Sequence, residues 1–220
     1  MKIRTWLTAL GILLAGLGCE LLDDERTARG SARYEVRFVA EWSAATHGDD
    51  YPVGGGFGRP VGVAHALGIV VWDDDRTAGD PVEDLAERDS IGDLLDELEN
   101  FEDIGLVCDI VVGDEIETSP GERTVTIRVE EDCPKVSFLA RISPSPDWFV
   151  GVTGINMSDD EEWVDSKSIE LFAYDAGTDD GSNFTSSNDD SFPADDVDRI
   201  TSGRLGDGIR MGFLEFTRVD

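Results

Sequence analysis

From Tyr34 onward the chain alternates apolar and polar side chains with a period of two. Tyr34, Val36, Phe38, Ala40 and Trp42 fall on one face, and Glu35, Arg37 and Glu41 on the other. This is the pattern of an antiparallel strand with one face on a core and one in water. The period returns further along. Val125, Ile127 and Val129 alternate with Thr124, Thr126 and Arg128, and Val136, Phe138, Ala140 and Ile142 with Ser137, Leu139 and Arg141. Ile169, Leu171 and Ala173 alternate with Glu170 and Phe172, and Ile209 to Val219 predicts a final strand. Trp148 to Val152 is an apolar strand, and the continuous apolar run Ala66 to Trp72 predicts another buried one. Ser43 to Gly62, with Gly54-Gly55-Gly56, Gly58 and Pro60, predicts a loop, as does the Ser-, Asn- and Asp-rich stretch from Asp179 to Asp198.

A helical period interrupts the strands. Asp80-Pro81 supplies an N-cap and a proline at the first helical position. Leu85, Ala86, Leu94, Leu95, Leu98 and Phe101 then recur at helical spacing. The cap-like Ser90-Ile91-Gly92-Asp93 predicts a split into two helices. This insert, around residues 81–101, is expected to pack over an edge or end of the sheets. Turn-rich segments between period-two runs predict an all-β fold, an antiparallel β-sandwich rather than βαβ units. One domain is expected over residues 33–219.

The N-terminus follows different rules. Lys2 and Arg4 precede an apolar stretch, Trp6 to Leu17, too short to span a bilayer. It ends in Leu14-Ala15-Gly16-Leu17-Gly18-Cys19, which resembles a bacterial lipoprotein signal. Residues 1–18 are then a signal peptide, Cys19 the lipidated residue, and 19–32 a tether. Ordinary cleavage and an uncleaved anchor are the alternatives. The expected location is the cell envelope, as an outer-membrane or surface lipoprotein, or otherwise secreted or periplasmic. The other cysteines, Cys108 and Cys133, form an even set in an oxidising compartment, either bridged or as two buried thiols.

Charge narrows the partners. With 48 acidic and 18 basic residues the formal net charge is -30, so nucleic acid, which needs a basic footprint, is excluded. Anionic membrane surfaces are disfavoured on the same ground, leaving membrane contact to the lipid anchor. The triple glycine is not a phosphate cradle, because neither Lys-Ser/Thr nor a helix follows it. His47 and His65, the two histidines, stand in segments without a nucleophile arrangement, and His65 in Val63-Ala64-His65-Ala66 reads as a satisfied buried or edge residue.

The candidate chemistry lies in two short segments. Asp147 sits between Pro146 and Trp148, with Pro144 stiffening the approach to the strand. Asp175 and Asp179 flank Ala176-Gly177-Thr178, where Gly177 permits a tight reversal. Carboxylates in stiff turns suit a hard cation, Ca²⁺ better than Mg²⁺, with carbonyls and waters completing the shell. In an acidic chain the competing reading of each is a solvated aspartate.

Ile142-Ser143-Pro144-Ser145-Pro146-Asp147-Trp148-Phe149-Val150-Gly151 and Tyr174-Asp175-Ala176-Gly177-Thr178-Asp179-Asp180-Gly181 resemble the two most specific motifs of the spondin N-terminal domain family. Phe38-Val39-Ala40-Glu41-Trp42-Ser43 resembles its first strand. The resemblance implies a C2-like antiparallel β-sandwich of extracellular adhesion proteins. It also implies one calcium held by Asp147, Asp175 and Asp179. Asp180 stands where Ser is usual. The expected function is that of an extracytoplasmic calcium-binding domain in surface adhesion or ligand binding, with a protein or polysaccharide ligand and without enzymatic activity. Two alternatives stay open: a metal-dependent hydrolase acting on an envelope polymer, and a purely structural envelope lipoprotein.

Overall fold

The computed structural model describes residues 27–205 and 208–220. The predicted signal peptide, Cys19 and the first part of the tether lie outside the described residues. The alternation that opens the domain forms β1 (Ser31–Ala40), with Ala32, Tyr34, Val36, Phe38 and Ala40 all buried. A short helix α1 (Ala44–His47) follows, then β2 (Gly56–Phe57) and β3 (Val61–His65). The helical insert is two helices, α2 (Asp80–Arg88) and α3 (Gly92–Glu102). After it come β4 (Val107–Val112), β5 (Gly121–Glu130), β6 (Lys135–Ser143) and β7 (Trp148–Asn156). A small hairpin, β8 (Ser158–Asp159) and β9 (Glu162–Trp163), leads to β10 (Ser166–Leu171) and β11 (Ala173–Asp175). Finally β12 (Asp198–Arg199) and β13 (Gly212–Arg218) close the domain.

These strands make the two antiparallel layers of a sandwich. One sheet runs β10-β13-β1-β5, and the other β12-β11-β7-β6-β3-β4 with β2 added against β6. Between them lies a core of Tyr34, Phe38, Ile127, Phe138, Val150, Leu214 and Phe216. Phe38 meets Phe57 and Phe138 edge to face, with centroids 5.1 and 5.8 Å away. Each such ring or aliphatic chain removed from water contributes roughly 1.5–3 kcal/mol.

A second core lies outside the larger sheet. Val61, Val63, Leu139 and Phe149 point away from the sandwich interior and bury Leu85, Ala86, Leu94 and Leu98 of the two helices. The helical insert therefore covers a sheet face rather than the expected edge or end. Strands β3, β6 and β7 are thus buried on both sides, which is why Leu139 is apolar on the face that alternation marks as polar.

Two further expectations are corrected. Ala66 to Trp72 is not a strand: the Ile69 amide turns back to the Ala66 carbonyl, and Leu67 and Val70 are exposed. The strand is β3, starting inside the predicted loop at Val61. Its partner β4 ends pairing at His65, so the apolar run beyond has no ladder to join. Trp72 instead packs edge-on against Phe149 and Tyr174. Gly62, read as loop, occupies a strand position whose Cβ would come within 2.9 Å of Val111.

Candidate metal centre

Strand register brings the two acidic segments together. In the β7–β11 pair Trp148 stands opposite Asp175, so Asp147, one residue earlier, arrives beside the turn that follows β11. The Ala176 amide then bonds the Asp147 carbonyl at 3.2 Å. Ser145 shapes the approach, its hydroxyl donating to the Ile142 carbonyl (2.6 Å) and accepting from the Trp148 amide (3.2 Å).

Asp147 is fully buried. Its Oδ2 accepts from the amides of Thr178 (2.8 Å) and Asp179 (3.1 Å) and from the Thr178 hydroxyl (3.2 Å). Its Oδ1 is buried with no partner. Asp175 accepts from the Trp148 indole at Oδ2 and from the Gly177 amide at Oδ1, both at 2.9 Å. Gly177 has φ +73°, and a Cβ there would lie 2.5 Å from the Asp195 carbonyl, so the reversal depends on glycine.

Asp147 and Asp175 converge and Asp179 does not. The Asp179 carboxylate accepts from the Gly181 amide (2.6 Å) and the Asp189 amide (3.1 Å), pinning the start of the long loop. Its contribution to Asp147 is a backbone N–H. The one trio of acidic side chains whose oxygens all lie within 4.8 Å among the described residues is Asp73, Asp74 and Asp75. Asp180 is exposed and accepts from the Ser191 hydroxyl at 2.7 Å.

Burial, reinforced by the charge of Asp175, pushes the Asp147 carboxyl up to about 7. Burial likewise raises Asp175. Two neighbouring carboxyls with little water cannot both ionise cheaply, so the pair needs a proton or a cation. Asp175, Gly177 and Asp179 open onto a cleft of about 790 Å³, lined also by Asp195, Asp198 and Arg199.

Glu87 is a buried carboxylate near these segments that sequence reasoning missed. It is the penultimate residue of α2, its side chain is 2% exposed, and Oε2 accepts from Arg88 Nη1 at 2.7 Å. Oε1 has no partner. Burial raises its pKa, the facing Thr178 hydroxyl lowers it, and Asp190 and Asp179 are among the charges that raise it. Arg141 ties the same helix end to the metal segment, its guanidinium donating to the carbonyls of Ala86 and Ser145 at 2.9 Å. No local signal marks Glu87, because the helical period describes only its own helix.

The remaining sequence candidates lie elsewhere. His65 is buried, with Nε2 2.8 Å from the Ser137 hydroxyl and Nδ1 3.0 Å from the Ala66 carbonyl. Cys108 and Cys133 form a disulfide, with Cα atoms 6.0 Å apart. It links the start of β4 to the turn before β6.

The family model Spondin_N matches residues 32–208. Human Spondin-2 is 33% identical over 202 residues, covering 87% of this chain and 60% of its own length. Rat Spondin-2 is 31% identical over 183 residues, covering 80% and 54%. Rat Spondin-1 is 29% identical over 185 residues, covering 80% of this chain and 22% of its own. The chain thus spans about 60% of the longest-matched of these relatives. The sandwich, the motif segments in their order and these matches together place the chain in the Spondin_N family.

Proposed function

We propose that this chain is an extracytoplasmic calcium-binding domain that serves surface adhesion or ligand binding. The observation that carries the reading is Asp147 Oδ1, a buried carboxylate oxygen without a partner beside a second, half-buried carboxylate. Leaving such an atom unpaired is costly, and a hard cation satisfies it. Asp147 and Asp175 would hold the ion, and Asp179 supplies the N–H that fixes Asp147 and the third acidic charge. When bound, Ca²⁺ neutralises the pair and ties the β7 entry to the turn after β11.

The disulfide supports an oxidising compartment, and no described helix is long and apolar enough to cross a membrane. Lipidation at Cys19 would then hold the domain at the envelope, with the open acidic cleft available to a protein or polysaccharide ligand. The kinship with Spondin-1 and Spondin-2 supports a binding role rather than a catalytic one.

Thermal melts in Ca²⁺ and in chelator test the metal. Stability should rise by RT ln(1 + [L]/Kd), about 2.7 kcal/mol at a hundredfold excess over Kd. An unchanged midpoint would sink the calcium reading.

A further inference from the structure

Trp148 stands opposite Asp175 in the β7–β11 pair, so the two side chains leave the sheet on one face. Its indole Nε1 donates to Asp175 Oδ2 at 2.9 Å. Burial alone does not demand this bond. Trp42 and Trp72 are at least as deeply buried, and their Nε1 atoms have no partner. Trp148 is also fixed at backbone and ring. The Ser145 hydroxyl accepts its amide at 3.2 Å, and Phe184 of the long loop meets its ring edge to face, with centroids 5.3 Å apart.

Asp175 needs such a donor. The Gly177 amide fixes Oδ1 from within the turn at 2.9 Å and leaves the carboxylate free to pivot about that bond. A second donor on Oδ2 fixes its plane. A carboxylate accepts at about four lone-pair sites, so two neutral donors leave both oxygens with capacity for a cation. An indole suits this task because it only donates and carries no charge to repel Ca²⁺. A lysine or arginine in its place would compete with the ion. Outer partners of this kind orient metal-binding carboxylates and set affinity.

We propose that Trp148 is a positioning residue for the cation centre, its indole N–H holding the Asp175 carboxylate in the orientation that binds the ion. The proposal rests on the calcium reading above and adds to it what orients the second ligand.

Isothermal titration of the full chain with Ca²⁺ alone tests it. Trp148→Phe keeps an aromatic ring beside Phe184 and removes the N–H, and it should raise Kd about tenfold. Replacing Trp148 with benzothienylalanine, whose sulfur takes the place of the N–H in a ring of the same shape, should raise Kd by a similar factor. A role in packing alone gives the opposite split: Trp148→Phe lowers the urea midpoint in chelator, while the isostere binds Ca²⁺ like the parent. Parental affinity in the isostere therefore overturns the proposal, whatever Trp148→Phe does. Should Trp148→Phe fail to fold, the isostere decides alone. Absence of Ca²⁺ binding by the parent chain would remove the calcium reading itself, and this inference with it. Equal binding by the parent and the isostere would remove only the inference.

Discussion

At the scale of single residues, Asp147 concentrates the energetics of the centre. Its folded pKa is raised, from 3.8 to about 7. A carboxyl with a raised folded pKa supports the fold while protonated, and that support is lost as pH rises through the interval between the two values. Between about pH 4 and pH 7 the native state holds more protons than the unfolded one. The metal-free protein should therefore lose stability with rising pH, by at most about 1.4 kcal/mol per unit for one proton. Urea midpoints in chelator should fall from pH 5 to pH 7.5, and the gap between calcium-loaded and stripped protein should widen. Asp147→Asn removes one charge of the pair and keeps a carbonyl oxygen for the Thr178 and Asp179 amides. It should flatten the pH dependence in chelator and abolish the calcium-induced shift in the melt. A variant that still gains stability from Ca²⁺ would move the ion elsewhere. The sequence marked Asp147 and Asp175 through their stiff, turn-forming neighbours. It could not reveal that Asp179 turns its carboxylate to Gly181 and Asp189, because loop hydrogen bonds beyond the motif decide that orientation.

At the scale of elements, period-two alternation was a sound guide wherever a strand has one wet face, as in β1 and β5. It misled where both faces are buried. Leu139 sits on the helix side of β6, and Gly62 lies in mid-strand because Val111 and Phe138 crowd it. The run Ala66 to Trp72 failed for a different reason: hydrophobicity offers burial, but a strand also needs a partner's backbone groups. Glycines give a sharp contrast at this scale. A Cβ at Gly212 would lie 2.0 Å from the Val39 carbonyl oxygen, between paired strands β13 and β1. Gly212→Ala should cost about 1–3 kcal/mol by forcing those strands apart. At Gly92, where α3 begins, nothing lies within 4 Å of an added Cβ. Gly92→Ala should be neutral or stabilise by about 0.5–1 kcal/mol. Chemical denaturation of the two variants checks both signs.

At the scale of the whole molecule, a net charge of -30 acts on a sandwich stapled by one described disulfide. Self-repulsion falls as salt shortens the Debye length from about 30 Å at 0.01 M to about 10 Å at 0.1 M. The melting midpoint should rise with NaCl between those concentrations even in chelator, and a flat or falling curve would contradict this. The Cys108–Cys133 bridge spans 25 positions, so replacing both with alanine should cost about 3 kcal/mol by the loop-entropy account. Equilibrium unfolding of the double variant measures it. The sequence by itself determined the alternating strands, the broken helical insert and the two stiff acidic segments, since all are set by local spacing and backbone restriction. Only the tertiary structure decided that the helices cover a sheet face, that Asp147 and Asp175 meet while Asp179 turns away, and that Glu87 is buried near the end of α2. These depend on strand register, on packing between elements far apart in the sequence and on hydrogen bonds within a long loop, which no period-two or helical pattern encodes.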